Sequence, residues 1–95
     1  MLLTIVMIVF ASFCALAQDR TVTGKVTDEL GLPLPQVSVY LKGATASGVP
    51  TDADGNYRLS VPQAGGILVF RFLGYVTREV QIGSQNTIDI QLSPA

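Results

Sequence analysis

The residues whose types and spacing most resemble a ligand-binding loop are Asp52-Ala53-Asp54-Gly55-Asn56. Two carboxylates one residue apart resemble the start of a calcium loop, because Ca²⁺ prefers oxygen ligands. An EF-hand loop counted from Asp52 would need glycine at its sixth position and glutamate at its twelfth. Here glycine stands at the fourth position, and the twelfth is Gln63. The spacing therefore favours a hairpin turn, in which Asp52 and Asp54 serve backbone N–H groups and Gly55 supplies a positive φ.

Residue types exclude the common catalytic and metal-binding arrangements. The 95 residues include no histidine, no tryptophan and a single cysteine, Cys14. A Ser-His or Cys-His nucleophile pair and a Cys/His zinc site therefore cannot be assembled. The formal net charge of −1 comes from interspersed signs, without a basic patch for nucleic acid. We therefore predict no enzyme activity, no catalytic, metal or cofactor site, and no nucleic-acid partner.

An exposed aromatic ring could contribute to a carbohydrate-binding surface, and Tyr40 is the best candidate for one. The alternation of residues 37–42 places Tyr40 on the outward face of a strand, beside Ser38 and Lys42. Tyr40 and Lys42 therefore form a candidate ligand surface. Cross-strand packing of the tyrosine is the competing interpretation, and we favour it.

The first 17 residues are uncharged and nearly all apolar, and they end in Ala15-Leu16-Ala17. This stretch is too short for a comfortable membrane span, which needs about 20 apolar residues. The A-x-A ending before the polar Gln18 is typical of a secretory signal peptide, although no Lys or Arg precedes the apolar run. We predict a signal peptide over residues 1–17 and one exported domain over residues 18–95, with no membrane span after cleavage.

Cys14 leaves an alternative to soluble export. A lipoprotein signal places a cysteine at the cleavage point after small residues, and lipidation would anchor the exported chain. Here the bulky Phe13 precedes Cys14, so we favour an unmodified apolar residue inside the signal. The residues themselves therefore predict export, without specifying a compartment.

Alternating apolar and polar residues predict an all-β sandwich of short strands, without a helix. Two glycines and two prolines shape it: Gly24 marks a close approach on a strand, Gly31 belongs to a turn, and Pro33 and Pro35 force an extended crossing. The residues predicted to face the core are Val22, Val26, Val37, Val39, Leu41, Tyr57, Leu59, Val61, Leu68, Phe70, Phe72, Ile88, Ile90 and Leu92.

The remaining segments carry weaker patterns. Gly43 to Gly48 is rich in small residues, which predicts an exposed loop, and residues 49–51 form at most a short edge strand. Gly74 ends the most apolar strand. Residues 75–82 then predict a further strand in which Val76 and Val80 are buried.

These segments together resemble a known family. The residues that carry the resemblance are Val22-Thr23-Gly24-Lys25-Val26-Thr27-Asp28, Gly31-x-Pro33-Leu34-Pro35-x-Val37-Ser38-Val39, Lys42-Gly43, Thr51-Asp52-x-x-Gly55-x-Tyr57-x-Leu59, Leu68-Val69-Phe70 and Gly74-Tyr75. Their order and spacing resemble the carboxypeptidase regulatory-like domain, in the version found at the periplasmic N-terminus of SusC/RagA-type TonB-dependent outer-membrane transporters. The resemblance implies a small seven-stranded Greek-key, transthyretin-like β-sandwich. Gln36 stands where the family usually has glycine, and Pro50 where it usually has a β-former.

The resemblance also implies a function. Those transporters continue into a TonB box, a plug and a barrel, for which 78 residues of a sandwich are too few. We therefore expect a non-enzymatic accessory or interaction domain in nutrient or glycan uptake, either a fragment of a transporter or a free-standing domain. The resemblance implies a location in the periplasm or at the outer membrane of a Gram-negative cell. Its partner would be an outer-membrane protein or the remainder of a transporter, with a glycan as a weaker candidate. The alternative is a free-standing small carbohydrate-binding module.

Overall fold

The computed structural model describes residues 19–95. The predicted signal peptide, Cys14 and the predicted cleavage site before Gln18 lie outside these residues. The regular secondary structure of the described residues consists of strands, so the predicted all-β class is confirmed. The strands are β1 (Arg20–Thr27), β2 (Ser38–Leu41), β3 (Ala44–Pro50), β4 (Asn56–Val61), β5 (Ile67–Arg71), β6 (Arg78–Gln81) and β7 (Ile90–Gln91).

The strands form two sheets with the orders β4-β1-β7 and β3-β2-β5-β6. In the first sheet β1 is antiparallel to β4, with Val22 opposite Leu59, and parallel to β7, with Val26 opposite Ile90. In the second sheet β2 lies between β3 and β5, so Val39 has Val49 on one side and Phe70 on the other. No helix within residues 19–95 is long and apolar enough to cross a membrane.

The core lies between the two sheets and takes the inward side chains that the alternation predicted. On β4 the pattern is strict: Tyr57, Leu59 and Val61 are buried, and their neighbours are exposed. The rings of Tyr57 and Phe70 meet edge to face across the two sheets, with centroids 5.4 Å apart. Such a pair adds about 0.5–1.5 kcal/mol to the area that it buries. Leu41, Phe72 and Val80 are only partly buried at the margin of this core.

The predicted loop over residues 43–48 is wrong, because Ala44–Pro50 is the strand β3. This strand lies at the edge of the four-stranded sheet and pairs only with β2, with a shift of register between Val39 and Leu41. Its small and polar residues do not alternate, since an edge strand with much of its surface in water needs no apolar face. Pro50 ends the strand, a position where the missing N–H is tolerated.

The predicted burial of Val76 is also wrong, since 54% of this residue is exposed. The strand expected over residues 75–82 begins only at Arg78. Before it, Gly74 turns the chain with a φ of 89°, and the Val76 N–H donates to the carbonyl of Ser93. The turn therefore removes Val76 from the alternation that would have directed it inward.

Candidate functional site

Hydrogen bonds within the turn stabilise the segment that contains the paired aspartates. Asp52 Oδ1 accepts hydrogen bonds from the N–H groups of Asp54 and Asn56 at 3.0 and 2.9 Å. The Gly55 N–H donates to the Asp52 carbonyl, and Gly55 has a φ of 78°. The expected hairpin is wrong in one respect, because the turn joins β3 of one sheet to β4 of the other. Across residues 19–95, no three His, Cys, Asp or Glu side chains are grouped as a metal ion would need.

Gly24 of β1 lies where the backbone before β7 and the ring of Tyr57 from β4 approach each other closely. A Cβ atom at this position would stand 1.8 Å from the Ile88 carbonyl oxygen and 2.8 Å from Tyr57 Cε1. The Tyr57 hydroxyl donates to the same carbonyl at 2.6 Å. Burial, and secondarily the Asp89 carboxylate, raise the pKa of Tyr57. The glycine therefore admits the Tyr57–Ile88 contact, which belongs to the core rather than to a ligand site.

The proline-bounded crossing depends on a buried hydroxyl that the sequence did not reveal. Pro33 and Pro35 are exposed and flank the buried Leu34. Thr51 is 1% exposed, and its Oγ1 donates to the Leu34 carbonyl at 2.6 Å and accepts from the Val37 N–H at 3.0 Å. These bonds satisfy the Leu34 carbonyl and the Val37 N–H, which belong to a segment that lies outside the strands.

Tyr40 lies on the outer face of the four-stranded sheet, where it lines a shallow groove of about 500 Å³. We call this the outer groove. β2, β3 and β5 build it, and Arg71 of β5 is paired in register with Ser38 of β2. The side chains and backbone that line it belong to Ser38, Tyr40, Thr45, Gly48, Val49, Pro50 and Arg71.

Lys42 does not line the outer groove, so the predicted Tyr40–Lys42 surface is only half present. Its Nζ forms an ion pair with Glu79 Oε1 of β6 at 3.0 Å, across the intervening strand β5. Both side chains are exposed, so the pair contributes little to stability. The basic residue at the groove is instead Arg71, whose proximity to Tyr40 no local sequence pattern could reveal.

A second surface feature is an end of the sandwich with exposed apolar side chains. Leu73 is 96% exposed beside Gly74, which has a φ of 89°. We call this surface the Leu73 end, and its exposed apolar residues are Leu30, Leu32, Leu73 and Val76.

Hydrogen bonds to the C-terminal segment link the β1–β2 and β5–β6 turns at this end. The Leu92 N–H donates to Thr27, where β1 finishes, and the Val76 N–H donates to Ser93. Burial, and then the carboxylates of Glu29 and Asp28, raise the pKa of Tyr75. The C-terminal backbone is at the same end, since the Ala95 N–H donates to the Gly74 carbonyl at 2.9 Å.

Known proteins are similar to this chain in sequence and in architecture. TonB-dependent receptor P3 of Formosa agariphila is 47% identical over 77 residues, which are 80% of this chain and 8% of the receptor. TonB-dependent receptor SusC of Bacteroides thetaiotaomicron is 40% identical over 87 residues, which are 92% of this chain and 8% of SusC. The chain thus spans less than a tenth of the length of these relatives.

Among solved structures, a chain of a type II cohesin–X-dockerin complex from Acetivibrio cellulolyticus superposes with a TM-score of 0.62. The match covers 76% of this chain and 56% of that chain at 17% identity, so it shows the β-sandwich fold alone. The sequence model of the CarboxypepD_reg-like domain matches residues 22–95. The chain therefore belongs to the family of CarboxypepD_reg-like domains.

Proposed function

We propose that this chain is a non-enzymatic, exported accessory domain that makes protein contacts within a TonB-dependent outer-membrane transporter. Its family and its similarity to TonB-dependent receptors support this proposal. So does the lack of catalytic groupings among its residue types, since the sequence has no histidine. We further propose that it works in the periplasm or at the outer membrane, in the uptake of nutrients such as glycans.

The observation that carries the proposal is the Leu73 end. Leu73 is 96% exposed at a tight turn, and the two turns that meet at this end carry three other exposed apolar residues. Apolar patches of this kind mark protein contacts. Backbone hydrogen bonds join Ser93 and Ala95 to the same turn. In the relatives, more than nine-tenths of the receptor lies outside the region matched here, and we propose that this remainder covers the Leu73 end.

Site-specific cross-linking tests the proposed contact. A photoreactive amino acid replaces Leu73, the chain is expressed in its source cells, and the cross-linked peptides are sequenced. The matched control carries the same amino acid at Ser60, an exposed position on β4, an edge strand of the three-stranded sheet. We expect peptides of a TonB-dependent transporter from position 73 and far fewer from position 60. Cross-links only to soluble periplasmic proteins, or equal yields from both positions, would overturn the proposal.

The alternative function is a free-standing carbohydrate-binding module, and Tyr40 in the outer groove favours it. In that case the Leu73 end has no transporter contact, whereas the outer groove binds glycan. The two functions therefore differ in whether the Leu73 end contacts a transporter, and the cross-linking experiment separates them.

A further inference from the structure

We infer that the outer groove is a binding site for a saccharide that bears a carboxylate, with Arg71 as its anion-binding side chain and Tyr40 as its aromatic wall. The outer groove and the Leu73 end share no residue. The inference therefore does not depend on the proposed accessory function; it deepens the alternative, carbohydrate-binding function by naming the class of ligand.

The charge of the groove comes from Arg71. Within residues 19–95 the guanidinium of Arg71 takes part in no ion pair or hydrogen bond, whereas Lys42 is paired with Glu79 and Arg78 donates to the Gln91 carbonyl. No acidic side chain lines the groove. A guanidinium presents a planar fork of N–H donors that matches the two oxygens of a carboxylate. The groove is therefore complementary to a ligand with a carboxylate group.

The shape of the groove comes from Gly48 next to Tyr40. A Cβ atom at position 48 would lie 3.1 Å from the Cβ of Tyr40, so any larger residue would crowd this wall. Tyr40 is half-buried, which leaves part of its ring open. Aromatic rings pack against the C–H faces of sugars, and the hydroxyls of Ser38 and Thr45 can donate to or accept from sugar hydroxyls. A volume of about 500 Å³ is in the range of small-ligand sites.

The sheet topology favours a saccharide over an extended peptide. Extended peptides gain most of their affinity from the free backbone groups of a strand edge. Tyr40 and Arg71 lie on β2 and β5, which are each paired on both sides, whereas the free edge belongs to β3 at the margin of the groove. The part of the groove that carries the ring and the guanidinium therefore offers side chains rather than a free edge. One ring, one cation and several hydroxyls suit an acidic sugar.

Nuclear magnetic resonance titration of the purified chain tests this inference. The ligands are trigalacturonate and its methyl ester, in which each carboxylate is replaced by an uncharged ester that also carries a methyl group. We expect amide shifts at residues 38–40, 45–49 and 71 with trigalacturonate, and binding of the ester that is weaker by about tenfold or more, equivalent to about 1.4 kcal/mol. Arg71→Gln should weaken the acid to the level of the ester.

Two further variants complete the test. Arg58→Gln is the matched control, because Arg58 is an exposed arginine on β4 of the other sheet, and it should leave binding unchanged. Gly48→Leu fills the groove and should abolish binding, provided that the amide spectrum of the core is retained. Equal affinity for acid and ester, tighter binding of an acidic tripeptide, shifts confined to other surfaces, or no shifts at all would each overturn the inference.

Discussion

At the scale of single residues, hydrogen bonds from a few polar side chains position the irregular parts of the chain. Arg20 donates from Nη1 to the Gln85 carbonyl and to Asn86 Oδ1, both at 3.1 Å, and from Nη2 to the Gly83 carbonyl. The start of β1 thereby holds the turn before β7. Thr51 and Tyr57 act in the same way inside the core. Thr51 and Tyr57 are costly to remove, since each would leave a buried backbone partner unsatisfied.

Thr51→Val should lower the free energy of unfolding by about 1–3 kcal/mol. Valine has the same shape, but it leaves the Leu34 carbonyl and the Val37 N–H without their partner inside the core. Urea denaturation of the variant measures the loss. Thr51→Ser retains the hydroxyl and should lose less, and Thr21→Val, on the exposed side of β1, should change little. A Thr51→Val variant as stable as wild type would show that these two bonds contribute nothing.

The stability of the fold should fall at alkaline pH because of Tyr57. In the folded state its pKa is raised above the ordinary tyrosine value of 10.0, first by burial and then by the Asp89 carboxylate. The unfolded chain therefore releases this proton at lower pH than the folded chain does. The stabilisation is complete below pH 10 and is lost as the pH rises toward the folded pKa.

Unfolding free energies measured from pH 8 to pH 11 test this effect. Wild type should lose stability above pH 10 more steeply than Tyr57→Phe, which has no proton to release. The phenylalanine variant should itself be less stable at pH 8, because the Ile88 carbonyl loses its donor. Identical slopes for the two proteins would contradict the assignment.

At the scale of elements, β5 joins the core to the outer face. It lies between β2 and β6, and its central residues Leu68, Val69 and Phe70 are all buried. Leu68 and Phe70 point into the core, whereas Val69 is opposite Tyr40 and Glu79 on the outer face. The strand that anchors the core therefore also carries Arg71 to the outer groove.

Phe70→Ala should cost about 3–5 kcal/mol, since it removes a fully buried ring and leaves a cavity. A domain of this size has a total stability of roughly 4–8 kcal/mol, so the variant should be largely unfolded. Thermal melting followed by circular dichroism measures this loss. Ile67→Ala, on the same strand with its side chain partly in water, is the control and should melt close to wild type. A cooperative, nearly unchanged melt of Phe70→Ala would refute the central role of this ring.

At the scale of the whole molecule, the domain presents two separate surfaces that could make separate contacts. The outer groove lies on the face of the four-stranded sheet, and the Leu73 end is built from turns that connect strands of both sheets. A domain with two independent surfaces can contact a transporter and a ligand together. Both uses require export, which depends on the predicted signal peptide.

Exported protein should begin at Gln18, because the Ala15-Leu16-Ala17 sequence predicts a signal-peptidase site. N-terminal sequencing of chain recovered from the periplasm, together with its intact mass, checks the cleavage point. Ala17→Asp should block processing, because the small residue at the cleavage site is lost. A mature chain that starts at a lipidated Cys14 would contradict soluble export and place the domain on the membrane surface.

Local patterns in the sequence determined the all-β class, the inward faces of β1, β4 and β5, and the close approach at Gly24. Each of these follows from a repeat of two residues, or from a missing side chain, that can be read within one segment. The tertiary structure alone decided three other features. β3 is a strand because β2 offers it hydrogen bonds, Val76 is exposed because its turn pairs with Ser93, and Thr51 is buried beneath the proline crossing.

The outer groove shows the same limit most clearly. Tyr40 was identified from its own strand, but its predicted companion Lys42 pairs with Glu79, while Arg71 comes from a position 31 residues further along the chain. Strand order and register bring these side chains together, and neither is encoded in the alternation of a single strand. The sequence by itself therefore determined which residues face outward, and the pairing of β2 with β3 and β5 decided which of them share a site.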